Sequence, residues 1–270
     1  MNPKSLFAGL AAATALTMAA PASAFMVLDG WQLDSTTDIG HLGLQSGSQT
    51  VIQEVDAGGN PFVGAAFSES GFIFSVNYTK ENCVGACDSG LPQSFVGGAE
   101  YQIVGSALKG IITSIDTTTH QATYTFTSGN LAFERSTDGG VTFTTVATLN
   151  VVNPSGGNLN SFFGTTGSNG NSTLTGDFIL ATYTPGLFKD SLGNNLMPPD
   201  FLMDIRTTNT ISAPTLGVPC NGVGTTGCCA QLSIQNDGAL NLLAVPEPAS
   251  LALTGIALLG LGATSRRRKI

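Results

Sequence analysis

The chain has 270 residues, a formal net charge of −8 and only 10% charged residues. Five of its ten Lys and Arg sit at the extreme ends (Lys4, Arg266, Arg267, Arg268 and Lys269), so residues 25–244 keep five cations against seventeen acids, about −12. That balance excludes a partner held through phosphates, such as nucleic acid, and disfavours anionic lipid; a net charge this far from zero favours solubility.

The N-terminus reads as a secretory signal peptide over residues 1–24. Lys4 supplies the positive start, Leu6–Ala20 is apolar, and Ala22-Ser23-Ala24 is a small-x-small site. Signal peptidase is expected to cut between Ala24 and Phe25. The apolar run is shorter than the roughly 20 residues of a spanning helix.

Residues 25–236 read as a secreted β-rich domain. Trp31, the only tryptophan, reads as a core or strand-start anchor; the sharper alternative is a platform on which a sugar stacks. Beyond it, Thr, Val, Ile and Phe alternate with polar residues at period two, between clusters of Gly, Ser and Asn. Strands are expected at Thr50–Val55, Phe72–Tyr78, Tyr101–Val104, Ile111–Ile115 and Gln121–Thr127. More follow at Leu131–Ser136, Val141–Val152, Thr173–Thr182 and Leu202–Arg206. No helical period appears outside the two ends. The expected fold is all-β, an antiparallel β-sandwich or related barrel. Asn153–Asn171, rich in Gly, Ser and Asn, reads as a loop or as a break between two β units. Pro198-Pro199 and Pro214–Thr226 also read as loops, and residues 237–244 as a tether to the tail.

The five cysteines, Cys83, Cys87, Cys220, Cys228 and Cys229, all lie in the exported part, where disulfides form. Cys83 can close a small loop with Cys87, and Cys220 can pair with Cys228 or Cys229. Five thiols leave one over. Irregular spacing and the lack of nearby histidine argue against zinc.

Catalytic signals are sparse, and no cofactor is expected. Ser136-Thr137-Asp138-Gly139-Gly140-Val141-Thr142-Phe143 resembles an Asp-box, with Phe143 where Trp is usual. By that resemblance Ser136, Asp138, Gly140 and Thr142 build a structural turn, with the Asp138 carboxylate capping backbone N–H groups. The only histidines, His41 and His120, are far apart in sequence and read as isolated surface residues. Asp34, Asp38, Asp56 and Asp88 are the acids that loops would offer to calcium, without any repeat to support it. Glycoside hydrolysis needs only two facing carboxylates, and none is marked out.

The tail is the firmest signal. Val245-Pro246-Glu247-Pro248 precedes an uncharged apolar run over residues 249–265, then Arg266-Arg267-Arg268-Lys269. As a helix the run reaches about 25 Å against a bilayer core of about 30 Å. The arginines can snorkel to make up the difference, and as cytoplasmic anchors they orient the rest outward. The prolines disfavour helix at Val245 and Glu247 and leave an extended, accessible segment.

These three parts, over residues 245–270, resemble the PEP-CTERM sorting signal, a tail also labelled an ice-binding-protein C-terminal domain. The resemblance implies a Gram-negative host that makes exopolysaccharide and processing by exosortase, a membrane-embedded transpeptidase. It implies transient inner-membrane anchoring through the C-terminal helix, then release to the cell surface or extracellular matrix. Trp31-x-x-Asp34, Gly59–Phe62 and Ser70–Phe72 slightly resemble flocculation-associated proteins of this kind, and no site residue is carried across. The expected role is structural or adhesive and non-enzymatic, in contact with exopolysaccharide. The alternatives are a secreted glycoside hydrolase acting on matrix polysaccharide and a sugar- or ice-binding module.

Overall fold

Period-two burial runs through the long strands and gives the sheet an inside and an outside. In residues 201–211, Phe201, Met203, Ile205, Thr207, Asn209 and Ile211 turn one way and are buried, while Arg206, Thr208 and Thr210 turn the other and are exposed. A computed structural model describes residues 26–34, 36–80, 100–160, 170–197, 201–212, 214–225 and 227–244. The signal peptide with Ala22, Ala24 and Phe25, the pair Cys83 and Cys87, Asp88, Pro198-Pro199, and the tail from Val245 to Ile270 lie outside them.

Among the described residues twelve strands follow in order: β1 (Met26–Val27), β2 (Trp31–Leu33), β3 (Thr36–Glu54), β4 (Ala66–Lys80), β5 (Glu100–Asp116) and β6 (Gln121–Ser136). Then come β7 (Thr144–Asn160), β8 (Gly170–Tyr183), β9 (Phe188–Lys189), β10 (Phe201–Ile211), β11 (Thr215–Val218) and β12 (Cys229–Ala244). No helix among the described residues is long and apolar enough to cross a membrane.

The eight long strands β3, β4, β5, β6, β7, β8, β10 and β12 pair antiparallel in that order. β12 then pairs with β3, from Cys229↔Glu54 to Leu240↔Leu42, so the sheet closes on itself. Of the two expected architectures this is the barrel. Closure satisfies the edge groups that an open sheet would leave unpaired.

Apolar side chains fill the inside: Leu42, Phe126, Phe133, Leu149, Phe178, Met203, Leu240 and others form one cluster. Outside stand Thr, Ser, Asn and Lys, often joined across strands, as in Thr113–Thr123 at 2.7 Å and Thr148–Thr182 at 2.7 Å. A membrane barrel has the opposite arrangement, apolar outside and polar within.

The two ends differ in construction. At one end β2 and β9 pair with each other and carry Trp31, Leu33 and Phe188, all fully buried, over the barrel mouth. At the other, a disulfide joins Cys220 to Cys229 beside the start of β12. There the buried Glu54 carboxylate accepts from Thr225 N at 2.6 Å and Ala66 N at 3.2 Å.

Several expectations change. Tyr101–Val104 and Ile111–Ile115 belong to one strand, β5, and Gln121–Thr127 and Leu131–Ser136 to another, β6. Register shifts within β5 and β6 separate their halves. Asn153–Asn160 is not loop but the second half of β7, and it pairs with β8 from Gly156↔Thr175 to Asn160↔Asn171. The break expected near 153–171 therefore does not divide the fold; Val27–Ala244 is one compact unit. Residues 237–244 are the second half of β12, not a tether, because their N–H and C=O groups are taken up by β10. β7 starts at Thr144, so Val141–Phe143 belongs to the preceding turn.

Candidate functional site

The residues marked out in the sequence do not converge. His41 lies near the Trp31 end, with Nε2 at 3.1 Å from Thr79 Oγ1. His120 is exposed in the turn between β5 and β6, at the opposite end. Asp34 is bound to Arg135 at 2.8 Å, while Asp56 caps its own turn through Gly58 N and Asn60 N, both at 2.8 Å. Among the described residues no three His, Cys, Asp or Glu gather as a metal site. Trp31 is fully buried, and its Nε1–H donates to the Gly40 carbonyl at 3.2 Å. Cys228 is exposed and stands outside the Cys220–Cys229 disulfide.

The turn between β6 and β7 is held by its own side chains. Asp138 Oδ1 accepts from Val141 N at 3.1 Å and Thr142 N at 2.9 Å, and from Ser136 Oγ at 2.7 Å. Thr142 Oγ1 donates to Oδ2. Ser136 Oγ also accepts from Gly140 N at 2.8 Å. Gly139 and Gly140 have φ of 75° and 84°, a backbone that favours glycine. The bonds from Thr142 and Ser136 hold the Asp138 carboxyl far below its ordinary range. Ser136, Asp138 and Thr142 spend these bonds on the turn itself, which makes it architecture.

Two carboxyl groups are held in unusual states. Glu69 points into the barrel, and burial pushes its pKa up from 4.5 to about 7. It lines two cavities of about 30 Å³ each, one with Gln53, Tyr124 and Asn209 and the other with Gln49 and Thr207. Each is large enough for water and too small for an organic ligand. Tyr124, donating to the Thr173 carbonyl at 3.1 Å, is raised well above 10 by burial and by the Glu69 charge.

On the outside, Asp177 of β8 and Asp204 of β10 are register partners. Asp204 is 1% exposed and is bound to Arg206 Nε at 2.8 Å. Burial, then the Asp204 charge, raises the Asp177 pKa.

Among the described residues, an open groove of about 620 Å³ lies on the outer face, where β3 and β12 shift register past each other. Gln45 and Ser48 of β3, Thr208 and Thr210 of β10, and Gln235 and Asp237 of β12 line it, all exposed. Nothing in the local sequence marked them, since they are the ordinary outward residues of three strands distant in the chain. Only barrel closure, which sets β12 against β3, brings them together.

The PEP-CTERM protein-sorting motif matches residues 244–269. No curated protein and no solved structure matches the chain. The chain therefore carries a PEP-CTERM sorting motif, which implies processing by an exosortase and export to the cell surface or beyond in a Gram-negative bacterium.

Proposed function

We propose that this protein is a non-enzymatic structural or adhesive component of the cell surface or exopolysaccharide matrix. The sorting motif directs it outward, and the barrel is what is delivered. The observation that carries the reading is the filled barrel. Its centre is occupied by its own side chains, and the two cavities that Glu69 lines there are about 30 Å³ each. Contact with other molecules is therefore made by the outside, a surface of hydroxyls and amides in a strongly acidic exported region. Such a surface is suited to hydrated polymer: it exchanges hydrogen bonds with sugar hydroxyls and does not draw in nucleic acid.

The test is fractionation of host cells with and without exopolysaccharide synthesis. The protein is expected in the matrix fraction of the first and in the medium of the second. The same distribution in both would reject the role.

A further inference from the structure

We propose that the outer groove across β3, β12 and β10, together with Phe72 and Phe74 on β4, binds a strand of neutral polysaccharide. This deepens the matrix reading and rests on it.

Gln45, Ser48, Thr208, Thr210, Gln235 and Asp237 are exposed around the groove of about 620 Å³. The hydroxyls and amides both donate and accept, as sugar hydroxyls do. The Asp237 carboxylate can accept from two neighbouring hydroxyls, the stronger kind of hydrogen bond.

Register adds an apolar edge. Ser48 is opposite Phe72 and Gln45 is opposite Phe74, so both rings share the outward face of the groove residues. The ring centroids lie 5.0 Å apart, and both side chains are only partly buried. Aromatic faces beside a hydrogen-bonding floor match the two sides of a pyranose, one edged with C–H and the other with O–H. From β10 to β4 the face crosses three strand spacings, roughly 14 Å, which favours a chain of sugars over a single one.

Charge selects the class. Asp237 is the only charged residue lining the groove. Arg206, two residues along β10 from Thr208, has its Nε bound to Asp204 at 2.8 Å. A uronic-acid polymer would bring its carboxylates against Asp237, on a domain already acidic. A protein partner would need an apolar centre, which this floor lacks.

The test is calorimetric titration of the full chain with neutral hexaoses of glucose and of mannose, and with an alginate hexamer. At least one neutral hexaose is expected to bind and alginate is not. The triple variant Thr208→Ala, Gln235→Ala, Asp237→Ala should weaken binding at least tenfold with the melting temperature unchanged, because all three side chains are exposed. Phe72→Leu keeps apolar bulk, removes the ring face and should weaken binding severalfold. No binding of either hexaose, equal binding of alginate, or wild-type affinity in both variants would overturn the site. If hexaoses fail while the protein still follows the matrix in fractionation, the groove falls and the matrix role stands. If the protein ignores the matrix in both hosts, the matrix role itself falls.

Discussion

The two halves of the barrel interior are built on different principles. Toward the Trp31 end the filling is aromatic and dry. Tyr101 stacks on Phe133 with centroids 5.2 Å apart, Phe133 meets Phe188 at 5.7 Å, and Phe188 meets Phe201 at 5.8 Å. Toward the Cys229 end, Gln53, Glu69 and Asn209 point inward around small cavities, and Gln53 Nε2 has no partner among the described residues. The first half holds by packing. The second sets a few polar groups into an apolar filling that includes Phe67, Tyr124 and Phe126, with a disulfide and the Glu54 bridges closing its end. A barrel can thus place its stability in one half and tolerate imperfect satisfaction in the other.

The largest effect is expected in the dry half. Phe133→Ala removes a fully buried ring and should cost about 3–5 kcal/mol in chemical denaturation. A loss near 1 kcal/mol would mean that this half is not where stability resides.

In the polar half, Glu69→Gln should act in the opposite direction. Its folded pKa is raised from 4.5 to about 7, so folding favours the neutral acid. The contribution is complete below about pH 4.5 and is lost as pH rises through about 7. Removing the charge should stabilise the protein at pH 8 by on the order of 3 kcal/mol and flatten the fall in melting temperature between pH 5 and 8. An unchanged pH slope in the variant would show that Glu69 is not the titrating group.

Next comes the staple. Cys220→Ser opens a link of sequence separation 9 and should cost about 2–3 kcal/mol. Hydrogen exchange should rise at the start of β12 and leave Trp31, Tyr101 and Phe133 protected. Uniform loosening would contradict the division into halves.

The smallest effect is expected at the exposed turn. Asp138→Ala should lower the melting temperature less than the other losses. The Asp138 pKa is lowered by its turn partners, so the contribution is present above about pH 4 and fades as pH falls. A penalty that persists at pH 2 would point to backbone strain instead.

Much of the strand content was legible, because period-two alternation survives in β4, β8 and β10. What escaped was whatever broke the period. β3 begins at Thr36, but its register shifts between Gln45 and Ser48, so Leu42 and Leu44 fall out of phase with Val51 and Gln53. Asn153–Asn160 looked like a loop for its Pro, Ser, Gly and Asn. Its glycines are there because neighbouring strands press close: a Cβ on Gly157 would lie 1.8 Å from the Thr173 carbonyl oxygen, and one on Gly156 2.1 Å from that of Tyr124. The groove was invisible for a different reason. It depends on the pairing of β12 with β3, and nothing local in the sequence fixes a contact between the first and last long strands.

Barrel and tail also divide the work. The barrel offers a surface; the tail, with its PEP-CTERM motif, decides where that surface is displayed. The most direct test of this account is fractionation of exosortase-bearing cells that express the chain with Pro246, Glu247 and Pro248 all changed to Ala. The altered chain should stay in the inner-membrane fraction, while the wild type reaches the surface and matrix. Release of the variant to the outside at the wild-type level would contradict the account.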